Sequence, residues 1–450
     1  MTSRSSCWFI VPALTLVVGC NATPEGAPGV AEATPAPVPS PIAHVPSMLP
    51  GGAEAWDLFW SDEFNGNDAA VDAAWVSQNG PSSHILSSRW RENVVIGDGT
   101  LKLVNRKEER GGQSWTSGSI WTKQQFLYGY YECRYRYAAA EGTNNSFWLM
   151  PVGELPPGGV RWEIDVNEGH YPNEVNTNVH NHSAVTVVDD KKRHPQMPKA
   201  FQFGARPDVR VQFETPITTK RIRLSSRHSQ HIQIDQFRAF AVNPAGYPDP
   251  LSSAAGQVDY AREAGVAITT SGFLKTEDTS PTIIDGIQGT YWVSQREGEK
   301  WMEITLAGER TIGCLQFING WQVAQGEWNN LMDEFRLEYE VNGAWVTASA
   351  FSILDGAFFF ARDYQVVGLD WTEKELVFYL NGKEIRRLPN EFCHNPGPVW
   401  LSLAVIPWAG RVSDAIHGTQ MEVDYVRVFR RRVAPNHEST PDAAFALLTH

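Results

Sequence analysis

The stretch Arg161-Trp162-Glu163-Ile164-Asp165-Val166-Asn167-Glu168 places three carboxylates in a segment whose other residues are mostly typical of a buried strand. Side chains of a regular strand alternate between its two faces, so Glu163 and Asp165 would share one face and Glu168 would lie on the other. One extra residue, a β-bulge at Val166-Asn167, would return Glu168 to the face of the first two. The stretch therefore predicts a strand that presents all three acids on one surface of a sheet.

Three carboxylates this close cannot all remain ionised at low cost, so their pKa values should separate. Double-displacement hydrolysis of a glycosidic bond uses such a pair, an ionised nucleophile and a protonated acid about 5–5.5 Å apart. A solvated acidic edge strand is the alternative, and an isolated Glu-x-Asp would favour it. The flanking segments favour a cleft, because Phe147-Trp148-Leu149 precedes the stretch and an Asn- and His-rich strand follows it.

Length and composition limit the class of protein. A chain of 450 residues is long for one core and predicts two domains. Its 17 tryptophans exceed the usual need of a core, and flat indole faces suit the apolar faces of sugar rings, although a Trp-rich sandwich core accounts for some of them. The formal net charge of -13 argues against a nucleic-acid partner.

The N-terminus has the pattern of an export signal. Arg4 precedes an apolar run that is too short to span a membrane, and Val17-Val18-Gly19-Cys20 resembles a bacterial lipobox. That resemblance implies lipidation of Cys20 and contact with a membrane only through this anchor, while simple secretion stays open because Val replaces the usual Leu. We expect an exported protein of the cell envelope with a signal peptide over 1–20 and a disordered Pro/Ala-rich tether over 21–53.

The remaining cysteines are few. Cys133, Cys314 and Cys393 are an odd number without metal-like spacing, so the sequence predicts at most one disulfide, with Cys133 and Cys393 as the pair considered.

Beyond residue 53 short alternating segments dominate, with almost no helical periodicity. Asn381-Gly382 after an apolar run is a strong hairpin signal. The predicted fold class is all-β, built as sandwiches, with a short tail over 433–450.

Several motifs, in their order along the chain, resemble glycoside hydrolase family 16. The resemblance covers residues 54–203 and 352–432, and it implies a concanavalin-like jelly-roll β-sandwich whose concave sheet carries the substrate cleft. The motifs are Asp62-Glu63-Phe64-Asn65-Gly66, Tyr128-Gly129-Tyr130-Tyr131-Glu132, Asn145-Ser146-Phe147-Trp148-Leu149, Glu163-Ile164-Asp165-Val166-Asn167-Glu168, Gly368-Leu369-Asp370-Trp371-Thr372 and Met421-Glu422-Val423-Asp424-Tyr425-Val426-Arg427-Val428.

Residues 204–351 interrupt this resemblance. Residues 254–304 and 333–345 are similar to a discoidin-type (coagulation factor type C, galactose-binding-like) sandwich, but the strands that resemble its end, within 209–237, come first. We infer a circularly permuted, smaller β-sandwich inserted into a loop of the jelly roll, since sandwich termini often lie close together. Two truncated sandwiches are the alternative, although neither alone would bury enough surface.

The family resemblance implies catalytic roles. It assigns Glu163 as nucleophile and Glu168 as general acid/base of a retaining, endo-acting hydrolase, and Asp165 between them can hydrogen-bond Glu163 and tune the pair. The family has an apolar residue where Asn167 stands, so this amide could alter the orientation of Glu168.

Substrate contacts are expected on the neighbouring strands. Trp148 resembles the family's cleft tryptophan, and Asn145 is expected beside it. His180 and His182 share a face by period two, and His180 could reach Glu168 or a sugar hydroxyl. A structural histidine and a metal ligand are the second and third interpretations, because no third ligand of convincing spacing follows.

Loop residues complete the candidate set. Trp90 and Trp408 are sugar-stacking candidates, with the core as an equal alternative. Arg89 and Arg91 flank Trp90 and could clamp a sulfate, although an exposed charged pair is an alternative.

No cofactor is expected for catalysis. Asp424 and the carbonyl of Gly99 match family positions that bind a structural Ca²⁺, an ion that prefers oxygen ligands.

The expected partner is a polysaccharide, acted on by a monomer. Residues 143–149 are closer to agarase-, porphyranase- and carrageenase-like members, so a red-algal type galactan is the favoured substrate. A laminarinase-like β-1,3-glucanase is the second interpretation, and a non-catalytic glycan-binding surface lipoprotein is the alternative of another class.

Overall fold

A computed structural model describes residues 46–188, 191–228, 230–324, 327–356 and 359–432, and this part of the chain is almost entirely β. The all-β fold class is therefore confirmed. The single α-helix of the described residues is α1, Asp68–Ala74. Its N-cap is Asn67, whose side chain accepts a hydrogen bond from the amide of Ala70. Short 3-10 helices span Ala53–Ala55, Arg91–Asn93, Tyr260–Arg262, Ser280–Ile284, Ile353–Asp355, Pro407–Ala409 and Asp414–Ile416.

The strands are numbered in chain order. Those before the insertion are β1 Trp56–Asp62, β2 Trp75–Ser77, β3 Ser87–Arg89, β4 Val94–Gly97, β5 Thr100–Val104, β6 Arg106–Arg110, β7 Gln113–Ser117, β8 Ser119–Thr122, β9 Gly129–Arg136, β10 Thr143–Leu149, β11 Trp162–His170, β12 Glu174–Asn181, β13 Thr186–Val188, β14 Lys191–Arg193 and β15 Lys199–Gln202. Those that follow are β16 Asp208–Ser226, β17 Gln233–Ala241, β18 Ala267–Thr270, β19 Trp292–Val293, β20 Lys300–Asn319, β21 Trp321–Ala324, β22 Glu327–Asn329, β23 Glu334–Val341, β24 Ala344–Ser352, β25 Gln365–Trp371, β26 Glu375–Leu380, β27 Lys383–Pro389, β28 Val399–Val405 and β29 Gln420–Arg431.

Two large antiparallel sheets pack face to face on one core. One sheet has the order β27-β26-β25-β9-β29-β5-β4, with β1 also paired to β29, and the other has the order β15-β12-β11-β10-β28-β8-β2. The core takes alternate residues of each strand, for example Phe147 and Leu149 of β10 and Trp162, Ile164 and Val166 of β11. The opposite face of the second sheet is left for a cleft.

The predicted hairpin joins β26 to β27. Asn381 and Gly382 both have positive φ, 49° and 75°, which a two-residue turn of this kind requires and which Asn-Gly adopts readily. Leu380 pairs with Lys383 directly across the turn.

Residues 208–352 form a third sheet with its own core. Its order is β19-β17-β20-β16-β23-β24, with β18 also paired to β20. The long strands β16 and β20 pair along most of their length, with register breaks that bend them, and β16 also pairs with β23. Their apolar residues, including Leu224, Phe237 and Ile304, meet in one cluster that is distinct from the jelly-roll core. Residues from both predicted halves of the insertion therefore share one sheet.

The end of the predicted tether is held against the first large sheet, which corrects its disorder over residues 47–53. The amide of Met48 donates to Glu132 at 2.8 Å, and Arg427 donates to the hydroxyl of Ser47 at 2.8 Å. The indole of Trp56 donates to the carbonyl of Pro50 at 2.7 Å. The sequence predicts a tether here because the Pro, Ala and Gly residues of this segment carry no periodicity.

Cys20, the signal segment and the tail over 433–450 lie outside the described residues. Among the residues with described positions, no helix has the length and apolar character to cross a bilayer. Cys133, Cys314 and Cys393 are all buried free thiols. The disulfide considered between Cys133 and Cys393 is therefore not formed.

Candidate active site

The acidic stretch forms β11 at the centre of the second sheet, and the predicted bulge is present. Asp165 pairs with Asn178 of β12 and Glu168 pairs with Asn176, so one extra residue is inserted between them on β11. The register against β10 breaks at the same place, between Phe147 and Trp148. The bulge returns Glu168 to the face of Glu163 and Asp165, away from the core.

Glu163 is the acid that the site keeps ionised. Nε2 of His182 donates to Oε2 of Glu163 at 2.8 Å. Burial acts to raise the pKa of Glu163, but the hydrogen bond from His182 and the nearby imidazole charges outweigh it, so the pKa lies below its ordinary 4.5.

Asp165 is the acid that the site keeps protonated most strongly. It is 2% exposed. Burial and the charges of Glu163 and Glu168 raise its pKa well above the ordinary range. Asp165 hydrogen-bonds Glu163, and a protonated Asp165 is the donor of that bond.

The pKa of Glu168 is also raised from its ordinary value. Burial raises its pKa, the charge of Glu163 acts in the same direction, and a hydrogen bond from Asn144 opposes both. Nδ2 of Asn144 donates to Oε1 of Glu168 at 2.7 Å. The face of β11 therefore carries one acid whose pKa is lowered, Glu163, and two whose pKa values are raised, Asp165 and Glu168, the separation that a nucleophile and a general acid require.

His180 of β12 and His182, just after this strand, each contact an acid of β11 other than Glu168. Nε2 of His180 is hydrogen-bonded to Oδ2 of Asp165 at 3.1 Å and lies 4.0 Å from Oε1 of Glu163. The prediction that His180 reaches Glu168 is therefore wrong, because Glu168 lies beyond the bulge, opposite Asn176. Burial lowers the pKa of His180 to about 4.

Asn145 does not lie in the cleft. It is fully buried, accepts a hydrogen bond from the amide of Ala138 at 2.7 Å, and donates to the carbonyl of Gly169 at 3.0 Å. The substrate-binding assignment is wrong because Asn145 alternates with Phe147 on the core face of β10. Asn144, which sequence reasoning missed, occupies the cleft face.

Asn167 points into the core at the bulge. Its Nδ2 donates to the hydroxyl of Tyr135 at 2.6 Å and to that of Tyr137 at 2.7 Å. The polar side chain at an otherwise apolar position is thereby satisfied, and its amide does not contact the Glu168 carboxyl through any described hydrogen bond.

Trp148 lies on the cleft face, as predicted, within a row of stacked indoles. Its ring stacks on Trp400 of β28 with centroids 4.6 Å apart, and Trp400 stacks on Trp121 of β8 at 4.5 Å. The three residues are directly paired across their strands, and Trp148 is paired with Asp165. The row therefore extends from the acids across the sheet, and Trp400 and Trp121 were missed.

A cavity of about 940 Å³ adjoins Glu168 on the other side. Trp408, 56% exposed, lines it together with Trp328 of β22, a strand of the insertion that pairs with β21. Lys199 of β15 and Glu327 of β22 form an ion pair of 2.5 Å at this boundary. The insertion therefore supplies one wall of the space beside Glu168.

Arg89 and Arg91 have different surroundings. Nε of Arg91 lies 2.6 Å from Oδ1 of Asp72. The carboxylate neutralises the guanidinium, so Arg91 is unsuited to binding a sulfate. Arg89 is 7% exposed and donates to the hydroxyl of Ser117 and the carbonyl of Gly118. Burial lowers the pKa of Arg89 to about 9.

Arg89 and Glu163 both act electrostatically on one imidazole, that of His84. The pKa of His84 is lowered first by burial and then by the charge of Arg89, and the charge of Glu163 acts against both. His84, missed by sequence reasoning, is therefore within electrostatic reach of both groups. Trp90 is stacked under Arg110, whose guanidinium carbon is 3.8 Å from the ring centroid, and that ring face is occupied.

The residues at the expected calcium position do not fit a calcium ion. Oδ2 of Asp424 is bound by Arg134 at 2.5 Å, so a guanidinium already neutralises the carboxylate. Gly99 lies in the tight turn between β4 and β5 with φ of 73°.

Comparison with known proteins identifies the segment that holds the acids. Residues 83–203 match the model of the family Glycosyl hydrolases family 16. The chain is 32% identical over 142 residues to a beta-glucanase of Rhodothermus marinus, covering 28% of this chain and 49% of that protein. It is 30% identical over 140 residues to a glucan endo-1,3-beta-glucosidase of Cryptopygus antarcticus, covering 28% of this chain and 51% of that protein.

The chain thus spans about half the length of the curated relatives it matches. Among solved structures, the catalytic domain of an endo-1,3-beta-glucanase (laminarinase) from Thermotoga petrophila matches with a TM-score of 0.42 and 15% identity, over 84% of this chain and 99% of that one.

Proposed function

We propose that this protein is an endo-acting retaining β-glycanase that cleaves a polysaccharide by double displacement. The observation that carries the proposal is the placement of Glu163 and Glu168 on one face of β11 with opposite pKa shifts, lowered for Glu163 and raised for Glu168. A cleft lined by a row of indoles supports an extended chain of sugars as the substrate. These features count against a protein that only binds glycans.

The roles follow from the protonation states. Glu163 attacks the anomeric carbon while Glu168 transfers its proton to the leaving oxygen, which yields a glycosyl-enzyme ester and a shortened chain. Glu168, now ionised, takes a proton from water, which cleaves the ester with retained configuration. Asp165 donates to Glu163 and orients it, and His182 stabilises its charge before attack.

For the substrate we propose a red-algal type galactan that carries anionic groups. Buried charges are normally paired, yet within the described residues Arg89 has no carboxylate within 4 Å. An anionic substituent of the glycan would meet this cation. The names of the two curated relatives favour a second candidate, a β-1,3-glucan.

We further propose that the insertion is a permuted discoidin-type sandwich that acts as a wall of the cleft, with Trp328 beside the sugar chain and Trp408 facing it. The protein is proposed to be an exported monomer, anchored through a lipid on Cys20.

The test is a reducing-sugar assay of the wild type and of Glu163→Gln and Glu168→Gln on carrageenan, porphyran, agarose and laminarin. Oligosaccharide release by the wild type, with most turnover lost in each variant of unchanged thermal stability, supports the proposal. Arg89→Gln should reduce cleavage of the sulfated galactans more than that of agarose. Cleavage of laminarin with no activity on any galactan would establish the second candidate instead.

A further inference from the structure

Three histidine rings meet beside Glu163. His180 and His182 come from β12 and its end, and His194 follows β14. One ring nitrogen of each lies within 4.8 Å of those of the other two. Nδ1 of His180 is 2.9 Å from Nε2 of His194, and the ring centroids of His182 and His194 are 4.3 Å apart. All three side chains are partly accessible.

The hydrogen bonds to the acids use the Nε2 atoms of two rings. His182 donates through Nε2 to Glu163, and His180 is hydrogen-bonded to Asp165 through Nε2, so Nδ1 is the nitrogen of each ring that faces away from the acids. Imidazoles that bind a metal usually donate their other N–H to a carboxylate, which sets the tautomer and raises the basicity of the ligand. Two of the three rings already have this arrangement.

We propose that His180, His182 and His194 form a binding site for a divalent transition cation such as Zn²⁺, with a fourth position open to water. Three imidazoles suit this class of ion and are poor ligands for calcium. Zinc–nitrogen bonds are about 2.0–2.1 Å long, so a tetrahedral site needs nitrogens roughly 3.3 Å apart. Nδ1 of His180 and Nε2 of His194, now 2.9 Å apart, would separate by a few tenths of an ångström, and His194 would carry its ring proton on Nδ1.

Occupancy of this site inhibits glycoside cleavage, a consequence that rests on the proposed function. A cation on His182 strengthens the hydrogen bond that this ring donates to Glu163 and weakens the carboxylate as a nucleophile. Its charge also opposes the positive charge that develops on the sugar ring in the transition state. The inhibition is reversible, because chelation of the cation frees the rings.

The experiment uses the untagged full chain after treatment with a chelator. Calorimetric titration with Zn²⁺ should give one site, and Co²⁺ should give the intense visible absorption of a tetrahedral complex. His194→Gln, which removes a ligand that contacts neither acid, should weaken Zn²⁺ binding by about tenfold or more. His394→Gln, an exposed histidine elsewhere, is the matched control and should bind as the wild type does.

Zinc should also raise the thermal unfolding temperature of the wild type more than that of His194→Gln. Absence of wild-type binding at millimolar Zn²⁺, or equal affinity in His194→Gln, would overturn the site and leave a hydrogen-bonded histidine cluster. Zn²⁺ binding without any detectable polysaccharide cleavage would retain the site and refute the proposed function. Binding without inhibition of an active enzyme would refute the inhibitory role.

Discussion

Asn144 and Asn145 are adjacent in the chain and lie on opposite faces of β10. Asn144 donates to Glu168, whereas Asn145 holds the backbone of Ala138 and Gly169 inside the core. Side chains alternate along a strand, so Asn145 lies on the core face together with Phe147, and Asn144 lies on the cleft face. This alternation alone could have assigned the two residues correctly. The family resemblance led to Asn145 as the substrate contact, whereas Asn144 is the residue that contacts Glu168.

Asn144→Ala should move the alkaline limb of the pH profile. The hydrogen bond from Asn144 favours the charged form of Glu168 and lowers its pKa, so its loss raises that pKa further. Glu168 must be protonated to act as the acid, and the alkaline limb of kcat/KM should therefore shift to higher pH. The acidic limb reports Glu163, whose lowered pKa places it below pH 4.5, and should stay in place. A shift of the alkaline limb to lower pH would contradict the assignment.

Asn145→Ala should affect stability instead. Its removal leaves the amide of Ala138 and the carbonyl of Gly169 without their partner, at a cost of about 1–3 kcal/mol in the free energy of unfolding. Urea denaturation measures this loss. The pH dependence of the activity of the folded variant should match that of the wild type. Unchanged stability combined with a raised KM would restore Asn145 as a substrate contact.

At the scale of the elements, the bulge in β11 could be predicted from the spacing of Glu163, Asp165 and Glu168, because one extra residue brings Glu168 to the face of the other two. The indole row was not predictable in the same way. Trp121, Trp148 and Trp400 lie on strands far apart in sequence, and their stacking depends on the register of β8, β28 and β10. The sequence likewise does not indicate that His194 lies beside His180, because the path of the chain after β12 brings the two residues together.

Trp121→Ala should weaken binding of long substrates. Trp121 ends the stacked row and contributes one aromatic platform, so its loss should raise KM for the polysaccharide by about threefold to tenfold, equivalent to about 0.5–1.5 kcal/mol. Cleavage of short oligosaccharides should change little. Trp345→Ala, which removes an indole that stacks with Arg223 on the inserted sheet, is the control. Equal KM values for the two variants would show that the row does not bind sugars.

At the scale of the whole molecule, one polypeptide builds two cores and the inserted sheet divides the jelly roll between β15 and β25. The split was visible in the sequence because the family motifs stop and resume. The position of the insertion was not, since only the structure places Trp328 in the cavity beside Glu168. That the insertion is a circularly permuted discoidin-type sandwich stays a prediction.

Residues 204–352 expressed alone should fold as one cooperative unit. The strands from both halves of this segment share one sheet and one buried cluster, so neither half has a complete core without the other. Coincident thermal transitions by circular dichroism and tryptophan fluorescence would agree with this prediction. An unfolded segment would show that its core needs the jelly roll.

The most direct test of the account is chemical rescue at Glu163. Glu163→Gly should lose turnover on an activated aryl oligosaccharide, and azide should restore part of it by occupying the space of the lost carboxylate. The product should be a glycosyl azide of inverted configuration, identified by NMR of the anomeric proton. Formation of the inverted azide by Glu168→Gly and not by Glu163→Gly, or wild-type turnover in the double variant Glu163→Gln and Glu168→Gln, would contradict the assignment of the nucleophile.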